Sequence, residues 1–353
     1  MTLIDKTKNN ETHAELMRSL ADKHGVLAAL IGTAPVHYVD VPVHGNIGDL
    51  LILLGTLRFF ERYKLKIHLK TTYFTYRSKW ARPSDVIVFH GGGNFGDLYS
   101  GPHEMRQHVV ENLPGNRIII LPQTIHFRSQ DAYVECCKIF SRHPDLHICV
   151  RDHSSYDLAL PMSRHVYLLP DMAHQLWPIY RSRPAESGHL ALLRRDKESA
   201  GGKVADFDVL IDWRELIGRK NVWFRNIRRG LLALHLMHLD RKFHPHEQDL
   251  WIKQATKLVN EAINFFSKFE TVTTDRLHAH ILACLMGISN AVLNNSYGKN
   301  YSYITAWTGS SNIVQLINAD LQAEKSLLIP EPLQILALQD KGKQRDISVF
   351  HCN

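Results

Sequence analysis

Short apolar runs alternate with amphipathic stretches along most of the chain. VHYVDVPV (36–43), KIHLKTTYF (66–74), VIVFH (86–90), RIIILPQT (117–124), LHICVRD (146–152) and VYLLPD (166–171) read as strands. IGDLLILLGTLRFFERY (47–63) reads as a helix, with further helical patterns near 103–112, 130–141 and 154–160 and a helical preface over 1–30. Strands that alternate with helices predict a parallel, doubly wound α/β sheet. The text changes to PIYRSRPAESG at 178–188, a linker, and HLALLRRD (189–196) starts a second series. A helix over 247–268, a strand at 269–275, a helix at 276–286, a strand at 290–295 and a helix at 300–308 leading into VQLI complete it. The expectation is two Rossmann-like domains, 1–182 and 189–330, facing each other across a central cleft, with a C-terminal tail at 331–353. Ligands in such sheets bind beyond the carboxyl ends of the strands.

One segment breaks the rhythm. WRELIGRKNVWFRNIRRGLLALHLMHLDRKFH (213–244) mixes Arg and Lys with Trp, Phe and Leu. It fits a basic amphipathic hairpin on an anionic membrane surface. It fits equally a helical insertion whose Trp and Leu face the core and whose Arg face water.

Composition narrows the class. A chain of 353 residues that is 44% hydrophobic and 22% charged buries a core, which argues against disorder. The formal charge of +7, with 22 His besides, points to anionic partners without choosing among them. No run of 18 apolar residues occurs, and the polar N-terminus lacks the pattern of a secretory signal. Five cysteines, odd in number and without a CxxC, suggest reduced thiols in the cytoplasm and neither a disulfide framework nor a zinc site.

The candidate chemistry sits at strand ends. Gly45-Asn46-Ile47-Gly48-Asp49-Leu50 returns as Gly93-Asn94-Phe95-Gly96-Asp97-Leu98, the second copy preceded by His90-Gly91-Gly92. Each copy follows a predicted strand, and the first opens a helix. Glycine lets backbone approach a ligand, and a helix N-terminus offers N–H groups and a positive dipole end. Each loop therefore suits an anion or a sugar hydroxyl, and each equally suits a tight β–α turn. Neither copy has the GxGxxG or GxxxxGK[ST] spacing of nucleotide loops, and His44, His90, His126 and His174 are scattered without a metal-binding pattern.

In the later half, Thr274-Asp275-Arg276-Leu277-His278-Ala279-His280 occupies a strand-to-helix junction. An arginine there has the fork and lasting charge to hold phosphate or carboxylate, and a histidine beside it suits acid–base work. The alternative is an Asp275–Arg276 ion pair. Arg151 is a similar candidate, its alternative a pair with Asp152. Polar loops at Gln123, at Asp171 and at Asn295, Ser296, Tyr297 and Lys299 join Asn46, Gly48, Gly92, Gly93 and Asn94 as candidates to grip the acceptor.

GNIGDLL, HGGGNFGDLY, IIILPQTIHF, VRDHSSYD, LLPDMAHQL, TDRLHAHIL and NSYGKNYSY follow one another in this order. Together they resemble the polysaccharide pyruvyl transferase family, most closely its bacterial exopolysaccharide members, over about residues 38–308. The resemblance implies a glycosyltransferase-B-like fold. It implies transfer of the enolpyruvyl unit of phosphoenolpyruvate onto two hydroxyls of one sugar, forming a cyclic ketal and releasing phosphate. It implies cytoplasmic precursors, often lipid-linked, as acceptors, with no metal or nucleotide cofactor and no nucleic acid. Carried onto matching positions, it makes Arg151 and Arg276, with His278, the donor site. His278, or a carboxylate facing it, is the expected acid, and Asp49 and Asp97 are candidates for the base or for orienting the sugar. Two rivals stay open: a glycosyltransferase of the same architecture that takes a nucleotide sugar, for which Glu261 or Asp275 is available to hold the ribose, and a non-catalytic module that binds sugar or polyanion.

Overall fold

The structure is a computed structural model that describes residues 3–184, 188–194, 207–218, 220–237, 240–294 and 299–317. Two parallel sheets follow one another along the chain. The first holds β1 (Val36–Val39), β2 (Ile67–Lys70), β3 (Val86–Phe89), β4 (Gly92–Phe95), β5 (Ile118–Ile125), β6 (Leu146–Val150) and β7 (His165–Leu168). Their order is β2-β1-β3-β5-β6-β7, with β4 beside β5. The second holds β8 (His189–Leu192), β9 (Val209–Ile211), β10 (Thr271–Thr274), β11 (Ser289–Leu293) and β12 (Val314–Ile317), in the order β12-β11-β10-β8-β9. Every pairing in both sheets is parallel. The alternating α/β pattern read from the sequence is therefore the observed one.

The helices are α1 (Leu3–Asp22), α2 (Gly25–Ile31), α3 (Ile47–Arg62), α4 (Ser100–Asn112), α5 (Gln130–Phe140) and α6 (His153–Ala159), then α7 (Trp213–Ile217), α8 (Lys220–Leu236), α9 (Asp240–Phe266), α10 (Leu277–Leu285) and α11 (Lys299–Trp307). The central strands of the first sheet bury both faces, as a sheet covered on two sides requires. Val36, Tyr38, Val88, Ile119 and Leu121 pack into the core that contains α3. Val39, Ile87, Phe89, Ile118 and Ile120 point the other way, toward the core of α4 and α5. The core around α3 also takes in Leu190, Leu192, Val272 and Trp251, so one apolar body serves both sheets. No helix among the described residues is long and apolar enough to cross a membrane.

Three expectations shift. The strand read at 66–74 stops at Lys70, because the hydroxyls of Thr71 and Thr72 both bond Thr75 Oγ1 at 2.8 Å and close a turn. The long helix begins at Asp240 rather than 247, so the segment 213–244 is α7, α8 and the start of α9. The second copy of the hexapeptide, read as a loop after a strand, is itself partly strand: its first three residues belong to β4, and α4 starts at Ser100. The tail at 331–353 and the loop residues Asn295, Ser296 and Tyr297 lie outside the described residues.

Candidate active site

The site is built where α3 and α10 begin. Asn46 caps α3: its side-chain oxygen accepts the Gly48 N–H at 3.1 Å, and its Nδ2 donates to Asp49 Oδ2 at 2.7 Å. Gly48 lies directly under the His278 ring, where a Cβ would come within 2.6 Å of Nδ1. The first turn of α10 thus rests on the first turn of α3, and the TDRLHAH junction meets the first GNIGDL loop. Their N-termini bring the positive ends of two helix dipoles to one place.

A charged cluster sits against them. Asp171, fully buried after β7, receives Arg151 Nη1 at 2.5 Å and faces His278 Nε2 at 3.4 Å, long for a hydrogen bond. Burial pushes the Asp171 carboxyl up, but His278, Arg151 and the Ala173 N–H outweigh it and hold it well below the usual carboxylate range. The carboxylate stays ionised and fixes the Arg151 guanidinium, with the His278 ring beside it. Arg151, at the end of β6, also donates Nε to Thr124 Oγ1 at 2.9 Å, and that hydroxyl donates to Asp152 Oδ2. Asp152 caps α6 and does not pair with Arg151. Arg151 Nη2 reaches past the glycine loop, 3.4 Å from where a Cβ on Gly93 would lie.

Arg276 lies on the other side of His278. Its Nη2 donates to both oxygens of Asp212, at 2.6 and 2.7 Å, so its partner is not the adjacent Asp275. Asp275 is buried and accepts the Arg194 N–H. Burial raises its pKa, with Arg194 and Arg276 pulling it back. From α11, Tyr303 Oη accepts the Asp171 N–H at 3.2 Å and lies 2.8 Å from His174 Nε2, while Trp307 donates to the Arg151 carbonyl at 2.8 Å. The second sheet's last helix therefore braces the first sheet's strand ends.

The sequence candidates divide. His278, Arg151, Asp171 and Gly48 converge, Arg276 sits at the N-cap of α10 with its guanidinium on Asp212, and Asp49, Gly92 and Gly93 line the same edge: Asp49 Oδ1 would lie 3.6 Å from a Cβ on Gly92. Asp49 is partly exposed, with His44 3.6 Å away. Asn94 and Gln123 are not free to meet an acceptor. Asn94 donates to Asp40, accepts from Arg106 and accepts from Gln123 Nε2 at 3.1 Å; Gln123 also donates to the His90 carbonyl. Arg106 is fully buried and paired with Asp40 at 3.1 Å, so the second glycine loop is held from beneath by an ion pair. Asp97 stands apart, because its two oxygens accept the N–H groups of Arg128 and Ser129. Lys299 opens α11. Asp212, Arg106, Asp40, Tyr303 and Trp307 escaped the sequence reading. Asp212 alone left a trace there, as an acidic residue closing the apolar run VLI.

A cavity of about 890 Å³ opens instead at the far ends of α3 and α10, lined by Arg18, Arg62, Trp177, Tyr180 and Met286, and holds none of these residues.

A family model described as polysaccharide pyruvyl transferase matches residues 46–297. The chain is 34% identical over 299 residues to "Putative pyruvyl transferase EpsO" of Bacillus subtilis (strain 168), covering 82% of this chain and 91% of that protein. It is 27% identical over 296 residues to Pyruvyl transferase 1 of Schizosaccharomyces pombe, covering 78% and 70%. A solved structure of an uncharacterized Klebsiella pneumoniae protein superposes with a TM-score of 0.53 at 22% identity, over 83% of this chain and 96% of that one, a likeness of fold.

Proposed function

The chain belongs to the polysaccharide pyruvyl transferase family, and on that premise we propose that it transfers the enolpyruvyl unit of phosphoenolpyruvate to a sugar of an exopolysaccharide precursor. The product is a cyclic pyruvate ketal, and phosphate is released. The observation that supports this best is the cluster of His278 and Arg151 on one buried carboxylate, Asp171, with Arg276 clamped beside it by Asp212. Phosphoenolpyruvate carries a carboxylate and a phosphate, and it needs fixed cations rather than mobile ones.

In this reading the two sheets face a cleft at the strand ends, and the donor lies between Arg151 and Arg276. His278, held by Asp171, gives a proton to the methylene carbon C3. The positive charge that develops at C2 is met by a sugar hydroxyl, whose proton passes to Asp49 as base. The C2–O bond to phosphate then breaks, the electron pair leaving with phosphate. The second hydroxyl adds to C2, and its proton is carried away on phosphate. The proton on Asp49 then returns to His278, so the two hydroxyl protons are accounted for, one on C3 and one on phosphate, and the protein is restored. The scheme routes no step through a metal or nucleotide cofactor. The sugar precursor is made in the cytoplasm.

Incubation with phosphoenolpyruvate and a panel of galactosides, glucosides and N-acetylmannosamine derivatives, read by mass spectrometry, tests the reading. The expected product is an acceptor carrying pyruvate less one water, with one phosphate released per adduct. Release of a nucleoside diphosphate from a nucleotide sugar, with no use of phosphoenolpyruvate, would replace it with the glycosyltransferase reading. Binding of sugar without turnover of either donor would leave a binding module.

A further inference from the structure

Segment 213–244 carries eight Lys and Arg against two acidic residues, a surplus of six within a chain whose formal charge is +7. The structure shows which side of α8 is spoken for. Arg228 donates to Tyr73 Oη at 2.6 Å and lies over the rings of Tyr73 and Phe74, and Arg77 donates to the His235 carbonyl at 2.9 Å. Leu231 is buried with them. The adjoining side is open among the described residues. Arg229, Leu232 and Leu236 are spaced three and four apart, so they form one exposed stripe, with Met237 beside it. Leu232 is 42%, Leu236 70% and Met237 58% exposed, apolar side chains that a helix normally turns inward. The same composition recurs on α9, where Leu250 is 65% exposed and Lys253 and Lys257 follow at three and seven residues. Asp249, beside Leu250, is paired with Lys70 at 2.9 Å.

We infer that the outer face of α8 and α9 is a docking surface for an anionic lipid bilayer. Exposed leucines flanked by fixed positive charge are what an interfacial helix needs: apolar side chains to enter the acyl boundary and cations to meet lipid phosphates. No described helix is able to span a bilayer, so the contact is peripheral.

The test is co-sedimentation of the full chain with vesicles of phosphatidylcholine alone and of phosphatidylcholine with phosphatidylglycerol. Anionic vesicles should bind it at least about tenfold better, with most of the gain lost in high salt, since each basic residue near such a surface is worth about fivefold. The double variant Leu236→Asp/Met237→Asp should lose about tenfold, and Arg229→Glu about fivefold. A thermal melt unchanged from wild type establishes that each variant is folded. Equal binding to both vesicle types, or a double variant that binds like wild type, overturns the inference. So does sedimentation velocity showing a dimer that the double variant dissociates, because the face would then be a contact between two copies. Vesicle binding needs neither donor nor acceptor, so its failure leaves the pyruvyl-transfer reading standing, and the reverse holds as well.

Discussion

The two copies of GN(I/F)GDL share five of six letters and share almost nothing else. In the first, Asn46 caps α3 and Asp49 faces the open edge of the site. In the second, Asn94 is gripped by Asp40 and Arg106, Phe95 ends a strand, and Asp97 ties down the turn at Arg128 and Ser129. The glycines diverge in the same way. Gly48 makes room for the His278 ring, whereas Gly96 sits at φ +125, where a Cβ would collide with the His126 carbonyl oxygen. Even the preceding histidines part company, His44 at the surface and His90 buried 2.5 Å from the Tyr38 hydroxyl. One copy serves the site and the other serves the sheet that carries it. A repeated motif is thus evidence of shared local chemistry only when its long-range partners repeat too.

The glycines should separate the copies most sharply. Gly48→Ala pushes the His278 ring off its seat, so turnover should fall by about a hundredfold or more with the melting midpoint nearly kept. Gly96→Ala forces a side chain into a left-handed conformation against backbone and should cost about 3 kcal/mol or more in chemical unfolding. If both variants lose turnover and stability in the same proportion, the division of labour is wrong. The aspartates give a smaller contrast. Asp49→Asn removes the carboxylate proposed as base and should lower kcat by about a hundredfold without altering the melt. Asp97→Asn weakens two bonds to backbone N–H groups and should cost about 1 kcal/mol with kcat close to wild type. A further contrast lies in the pH dependence of stability. Burial pushes His90 down from 6.5 to about 3, even with the Asp49 carboxylate near it. The unfolded chain therefore takes up the proton first, so the stability is whole above 6.5 and falls as pH drops toward 3. Replacing His90 with Gln should flatten that slope by up to about 1.4 kcal/mol per pH unit, read from urea unfolding at several pH values.

The elements were legible because each strand and helix announces itself over a few neighbouring residues. Alternation of apolar runs with amphipathic stretches marked nearly every strand of both sheets and the junction at Thr274–His280. What stayed hidden was long-range. Arg106 is 66 residues from Asp40, and Arg276 is 64 from Asp212, so no local spacing announces either pair. The same blindness made Arg151–Asp152 and Asp275–Arg276 look like natural partners, yet neither pair forms, because each arginine is taken by a distant carboxylate, Asp171 or Asp212. Asp171 was legible as a polar strand end but not as the counter-ion of Arg151 and His278, because that role exists only once α10 lies on α3.

The hydrogen bond from Trp307 to the Arg151 carbonyl spans 156 residues, and that from Asp171 to Tyr303 spans 132. During synthesis the whole first sheet leaves the ribosome long before α11 does. Such distant closures come late in folding, after the loop between them has been gathered. A nascent or truncated chain ending short of Trp307 would carry Arg151, Asp171 and His278 yet lack the helix that sets them. Activity would then report on completion of the chain rather than on formation of the first sheet, and an unfinished enzyme would be kept from acting on its substrate.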